Sequence, residues 1–163
     1  MKEETRKKVL AIDPGTKYIG FALLEDFKLV HYGVKTILST RHALHLGKEA
    51  VSRLLADYRP DTLVVEKTFF GNNRDSILLN TLAKQIQILG KKRGLKVMSI
   101  AANSVRKVVC GNGSASKDEV ARAMVMKFPE LKPYLTSNKR WKERYYRNMF
   151  DAVALGVFVV SEH

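Results

Sequence analysis

The chain has 163 residues, of which 45% are hydrophobic, and its formal net charge is +13. This is the length of one ordinary domain with enough apolar content for a sizeable core, so we expect a single domain over residues 1–163. No apolar run is long enough to cross a bilayer, and the N-terminus lacks the apolar stretch of a signal peptide. Both observations argue against a membrane protein and predict a soluble, cytoplasmic one.

The excess of basic residues favours a polyanionic partner, above all nucleic acid, bound with strong salt dependence. The lone Cys110 cannot form an intramolecular disulfide, and a single cysteine with four scattered histidines gives no zinc-binding spacing. A reduced, intracellular compartment fits this cysteine content.

The first part of the chain has three predicted strands in succession, and then helices and strands in alternation. Strands are expected at 9–12, 18–24 and 29–34, because apolar and β-branched runs there are separated by turn residues such as Pro14 and Gly15. Ser39 and Thr40 can cap a helix whose apolar spacing stops at Pro60. The next predicted elements are a strand at 61–66, a helix at 75–92 and a strand at 96–100.

The second half of the chain is helical in its pattern. Ser116 and Glu119 have the spacing of a capping box, and a final helix is predicted over 147–160. Strands joined first by hairpins and later by helical crossovers predict an α/β fold. We expect a mixed sheet, three antiparallel strands followed by parallel ones, with helices on its faces.

Three acids stand in apolar surroundings: Asp13 and Glu66 at the ends of predicted strands, and Asp151 in the last helix. Taken singly, each acid is more readily explained as a helix cap, a turn residue or the partner of a buried Lys or Arg. Three together predict a divalent-metal site, because buried carboxylates are costly without a compensating cation. Such sites serve phosphodiester hydrolysis, and Asp13, on the expected central strand, is the best candidate for a ligand shared by two ions.

Four segments carry a family resemblance. AIDPGTKYIGFALL, PDTLVVEKTFFGNN, SVRKVVCGNGSASKDEVARAMV and DAVALG resemble, in this order, the signature blocks of bacterial Holliday-junction resolvases of the RuvC type. The first block alone is weak, since actin-like and sugar-kinase ATPases share its Asp-x-Gly-Thr turn; the second and third are more specific. The resemblance implies a ribonuclease-H-like fold, a homodimer, and Mg²⁺- or Mn²⁺-dependent symmetric nicking of four-way junctions. A branch-migration helicase would be compatible as a further partner.

On this resemblance Asp13, Glu66 and Asp151 match the catalytic acids of the family. One position departs, since the family usually has Asp or His three residues before the last acid and this chain has Asn148. A neutral amide oxygen there could still complete a coordination sphere, which predicts an active enzyme that needs more metal or prefers Mn²⁺. The alternative is that Asn148 caps or starts the last helix.

Several residues are candidate DNA contacts. Phe69 and Phe70 can stack on an unpaired base. Packing against the core explains either ring equally well, but the family resemblance favours contact with the substrate for Phe69. The other candidates are cations, each of which would otherwise be a solvated surface charge: Arg74, Lys107, Lys117 and Arg122. The basic, aromatic segment 136–147 is a further candidate DNA-contacting surface.

The predicted helix 75–92 is apolar over a wide face, which suggests a homodimer through this helix; a helix fully buried in a monomer explains the pattern nearly as well. Three functions remain open from the residues: a structure-specific endonuclease, a junction-binding protein with a decayed metal site, and an actin-like ATPase. The last would need two such domains.

Overall fold

A computed structural model describes residues 6–69, 71–135 and 140–162, without the side chains of 140–143. Its centre is one five-stranded sheet in the order β3-β2-β1-β4-β5. The strands are β1 (Lys8–Asp13), β2 (Tyr18–Glu25), β3 (Lys28–Thr36), β4 (Thr62–Glu66) and β5 (Lys96–Ile100). The predicted strands are therefore confirmed, and β1 is the central one.

The pairing of the strands sets the direction of each strand end. β1 runs antiparallel to β2, which runs antiparallel to β3, whereas β4 is parallel to both β1 and β5. Ile12 is paired with Val65, so Asp13 and Glu66 follow directly at the same edge of the sheet. The carboxyl ends of adjacent parallel strands thus bring two acids together.

The helices come from the rest of the chain. They are α1 (Ala43–Tyr58), α2 (Arg74–Lys92), α3 (Ala102–Cys110), α4 (Lys117–Lys127), α5 (Lys132–Leu135) and α6 (Arg140–Glu162), with a 3₁₀ turn at Pro129–Leu131. The capping box is present as predicted: the Ser116 hydroxyl accepts from the Glu119 amide, and the Glu119 carboxylate accepts from the Ser116 amide. No helix among the described residues has the length and apolarity that crossing a membrane requires.

Alternate residues of the central strands point to opposite faces of the sheet, and each face has its own core. Leu10, Ile12 and Leu63 pack with α1 and α2. Val9, Ala11 and Val64 have side chains on the other face and pack with α3, α4 and α6. Helices cover both faces, which confirms the predicted α/β fold with a mixed sheet of three antiparallel strands followed by parallel ones.

Helix α6 lies against β2 with almost no space between the backbones. A Cβ on Gly20 would overlap the Asn148 carbonyl and come within 2.6 Å of the Met149 amide nitrogen. This glycine lets the helix approach the sheet closely. Gly20 is paired with Asp13, so this close approach lies at the end of β1 that carries the first acid.

Two helix starts differ from the predictions. The cap at Ser39 or Thr40 is wrong, because their carbonyls accept from the amides of His42 and Ala43 and form a turn, so that α1 begins only at Ala43. The last helix begins at Arg140 rather than 147, since Tyr145 and Tyr146 pack against Tyr18 and Tyr134 and so hold an earlier part of the chain helical.

Candidate active site

Three carboxylates from separate elements meet at one end of the sheet. Asp13 ends β1, Glu66 ends β4, and Asp151 lies on the face of α6 that packs on these strands. One oxygen from each carboxylate lies within 4.8 Å of the others. The structure thus brings together the three acids that the sequence predicted as metal ligands.

Burial makes Asp13 and Glu66 costly to ionise. Asp13 is only 6% exposed and Asp151 only 7%. Desolvation raises the pKa of Asp13 well above its ordinary value, and the nearby charge of Glu66, a hydrogen bond to Glu66 and the charge of Asp151 raise this pKa further. Desolvation also raises the pKa of Glu66. A cation between the carboxylates would relieve both effects.

Lys117 neutralises part of this charge. Its Nζ donates to Asp151 Oδ2 at 3.0 Å, and its charge lowers the pKa of Asp13 and of Glu66. The capping box at Ser116 places Lys117 in the first turn of α4, from which its side chain reaches α6. The sequence predicted Lys117 as a phosphate contact, and its bond to Asp151 was not foreseen.

The donor set fits a hard divalent cation. Carboxylate oxygens are the ligands that Mg²⁺ and related ions prefer, and three of them converge here from rigid elements. Desolvation keeps the pKa of Asp13 and of Glu66 raised despite the charge of Lys117, so a bound cation would favour their ionised forms. The acidic cluster therefore has the composition and electrostatics of a divalent-metal site.

Asp13 and Glu66 line a cleft of about 1020 Å³, counting the part open to solvent. The β1–β2 turn, the segment after β4, α3 and the start of α4 contribute basic groups to its walls: Lys17, Lys67, Arg106 and Lys117. Cations around an acidic centre suit a phosphodiester that must approach three carboxylates. Sequence reasoning missed Arg106, whose charge lowers the pKa of Glu66. The sequence indicated Arg106 only through its position next to the predicted DNA contact Lys107.

Phe69 stands at the rim of the cleft and is 82% exposed. The loop that carries it is fixed by Asn80, whose Nδ2 donates to the Phe69 carbonyl at 3.1 Å and whose Oδ1 accepts from Thr68. The alternative that Phe69 caps the core is therefore wrong. Its contact with a base stays a prediction, and Phe70 lies outside the described residues.

The remaining predicted DNA contacts lie on the surface. Arg74 begins α2, and Lys107 is exposed on α3. Arg122 pairs with Asp118 at 3.1 Å on α4. None of the three lines the cleft, so their contact with DNA remains a prediction.

Asn148 lies beside the carboxylates, and its side chain has a clear partner. Its Nδ2 donates to the Tyr18 carbonyl at 2.7 Å, which ties α6 to the start of β2. Asn148 also lines the cleft. The alternative that it caps the last helix is wrong, because α6 begins at Arg140.

The mixed sheet carries Asp13 and Glu66 at the ends of adjacent strands beside Asp151 of α6, which is the kind of carboxylate site that metal-dependent nucleases use. Residues 9–140 match the family model described as "Crossover junction endodeoxyribonuclease RuvC". The chain belongs to this family. The match ends before Asn148 and Asp151, so their place in the site rests on the geometry.

Relatives and solved structures agree with this family. The crossover junction endodeoxyribonuclease RuvC of Geobacter sulfurreducens is 34% identical over 134 residues, covering 76% of this chain and 82% of the relative. That of Acidiphilium cryptum is 33% identical over 124 residues, covering 71% and 74%. The structure of Thermus thermophilus RuvC superimposes with a TM-score of 0.70 at 20% identity, covering 92% of this chain and 91% of that one. This last likeness supports the fold.

Proposed function

We propose that this protein is a structure-specific endodeoxyribonuclease that resolves four-way DNA junctions by metal-dependent nicking of two equivalent strands. The observation that carries the proposal is the convergence of Asp13, Glu66 and Asp151 within 4.8 Å in a chain of the crossover junction endodeoxyribonuclease family. A structural neighbour, RuvC of Thermus thermophilus, has also been solved in complex with a Holliday junction substrate.

The three carboxylates would hold Mg²⁺ or Mn²⁺, with Asp13, on the central strand, as a principal ligand. Such ions stabilise negative charge on the phosphate and lower the pKa of a water nucleophile. The protein supplies the rest. Lys117 holds Asp151 in place, and the cations of the cleft attract the DNA backbone.

The three acids are therefore proposed as catalytic and metal-binding residues, and Asn148 as a neutral fourth group at the same site. Phe69 is exposed at the rim, where it can stack on a base left unpaired at the crossover. Phe70, Arg74, Lys107, Lys117 and Arg122 are proposed as the further DNA contacts. We also propose that residues 1–163 act as one nuclease domain, since one continuous sheet organises both cores.

The assembly proposed is a homodimer through α2. Of the apolar residues that suggested this interface, Leu82 and Ile86 are buried in the core, Leu78 and Leu89 are partly buried against it, and Leu79 lines the cleft. Packing within one subunit therefore explains all of them. Ile77, which is 57% exposed, is what remains to support contact with a second subunit.

The test is cleavage of a synthetic four-way junction, with linear duplex of the same sequence as the control. We expect paired nicks on the junction in Mg²⁺ or Mn²⁺, none in EDTA, and little cutting of duplex. Tight junction binding without nicks in either metal would favour the junction-binding alternative, for which Asn148 is the motivating residue. Equal cutting of junction and duplex would contradict the proposed specificity.

A further inference from the structure

A second cavity lies beside the carboxylate cluster, between α4, α5 and the first half of α6. It holds about 500 Å³ of empty space, counting the part open to solvent. Tyr134, Tyr146 and Phe150 form its aromatic walls, and Ala121 and Leu135 complete the apolar lining. Nothing in the proposed chemistry uses these rings.

The aromatic walls are held in place by a larger cluster. The Tyr134 and Tyr146 rings meet edge to face with centroids 4.9 Å apart, and Tyr134 meets Tyr32 of β3 in the same way at 6.0 Å. Tyr145 joins Tyr146 on one side and Tyr18, next to the cleft, on the other. The rings therefore present a preformed surface that needs little ordering when it is covered.

The rim of the cavity is charged and adjoins the active site. Lys117 lines both the cavity and the cleft, and its Nζ contacts Asp151. Arg147, exposed on α6, stands on the rim as well. A strand whose phosphate lies over the carboxylates would therefore have a neighbouring nucleotide at this opening, with two cations ready for its phosphates.

We propose that this cavity binds one unstacked nucleobase of the strand being cut and thereby sets a sequence preference at the nick. The inference rests on the proposed nuclease function and adds a base-binding site to it. Aromatic walls offer stacking to any base, and the rim offers a donor on Arg147 and an acceptor on Asp118, whose carboxylate also pairs with Arg122. Bases at a crossover are the least costly to extrude, because their stacking is already interrupted.

The experiment combines substitutions in the cavity with abasic sites in the DNA. Binding of four-way junctions is measured in EDTA, so that no strand is cut, with one abasic residue placed in turn at each position flanking the nick. The variants are Tyr146→Ala, which removes a wall, and Ala121→Leu, which fills the space without removing a ring. Tyr146→Phe keeps the ring, and Tyr145→Ala removes a ring of the same cluster that does not line the cavity.

We expect Tyr146→Ala and Ala121→Leu to weaken binding of the intact junction by roughly fivefold or more, as loss of one stacked base would. At one abasic position these substitutions should have no effect, because the base that they would have displaced is already missing. Tyr146→Phe should bind as the wild type does. In Mg²⁺, the two cavity variants should also lose any preference for the base at that position.

A loss of affinity that is equal for every abasic junction, or that Tyr145→Ala reproduces at the same position, would overturn the proposal. So would cavity variants that bind and cut with unchanged preference, which is the expected result if the cavity receives something other than a base. Failure of the wild-type protein to bind or cut any junction would instead refute the nuclease function itself, and the base site with it. Thermal unfolding of each variant verifies that it is folded.

Discussion

Asp13 carries an electrostatic cost, because it is buried and faces two other carboxylates. We predict that Asp13→Asn abolishes cleavage and retains junction binding, since the acid holds metal and repels phosphate. The same substitution should raise the melting temperature of the metal-free protein at neutral pH by about 2–4 °C, the shift that roughly 1 kcal/mol produces in a domain of this size. Scanning calorimetry in EDTA measures it, and unchanged cleavage would contradict the assignment.

The gain from Asp13→Asn has a definite pH dependence. When folding raises the pKa of an acid, the free energy of unfolding is highest below the acid's pKa in the unfolded chain, about 4, because the acid is then protonated in both states. That free energy falls as the pH rises from this value through the raised pKa of the folded state. The stability difference between Asp13→Asn and wild type should therefore grow with pH in EDTA. In Mg²⁺ the wild type should regain stability at neutral pH and the variant less so.

Asn148 stands where the family resemblance predicts Asp or His, and its side-chain hydrogen bond to the Tyr18 carbonyl sharpens the prediction. Asn148→Asp replaces a donor with an acceptor facing the Tyr18 carbonyl and adds a fourth negative charge. We expect the metal-free variant to lose about 1–3 kcal/mol of stability, the cost of a buried group left without its partner. The added charge should at the same time lower the metal concentration that gives half-maximal cleavage.

Asn148→Ala serves as the matched variant, because it removes the hydrogen bond without adding charge. It should raise the metal requirement and destabilise the metal-free protein less than Asn148→Asp does. Thermal scans in EDTA and metal titrations of both variants give the comparison. If neither substitution moves the metal dependence, Asn148 lies outside the metal site and serves only to fasten α6 to β2.

At the scale of elements, the position of the third acid depends on how closely α6 approaches β2. Gly20→Ala would place a Cβ against the Asn148 carbonyl and push the helix away from the sheet. We expect a loss of about 3 kcal/mol, at the upper end for overpacking, together with weaker metal binding because Asp151 moves with the helix. Chemical denaturation and metal titration measure the two effects.

Gly113→Ala is the control for this substitution. Gly113 lies in the loop before α4, and a Cβ there would meet only the Asn103 carbonyl, at 3.3 Å. Its cost should be small and its metal binding unchanged. Metal binding by Gly20→Ala that equals the wild type, despite a loss of stability, would show that the approach of α6 does not set the position of Asp151.

The sequence predicted the strands and two of the three acids well because local pattern determines them. Asp13 and Glu66 each follow an apolar run, and the carboxyl ends of parallel neighbours must meet at one edge. Asp151 was predicted from its apolar helix and its family block. The ion pair between Lys117 and Asp151 could not be predicted. It depends on the distance between α4 and α6, which no local sequence pattern encodes.

The start of α6 was missed for a similar reason. Apolar spacing marks only the part of the helix after 147, whereas the earlier turns are stabilised by aromatic packing against α5 and β2. Arg106 was passed over in favour of Lys107 because adjacent helical residues point in different directions, and only the packing of α3 decides which one faces the cleft.

At the scale of the whole molecule, symmetric cutting needs two active sites related by a twofold axis, which a homodimer provides. We predict a dimer in solution by light scattering and a monomer for Ile77→Glu, because a charge on the exposed apolar part of α2 would be buried at the proposed interface. Met126→Glu is the matched control: Met126 is 86% exposed on α4, away from α2, and its substitution should leave the dimer intact.

The monomeric variant Ile77→Glu should keep its metal site, measured by calorimetric titration, and should nick the two strands of a junction independently instead of together. A wild-type monomer that still makes paired nicks, or dimers that survive Ile77→Glu, would place the assembly surface elsewhere than on α2.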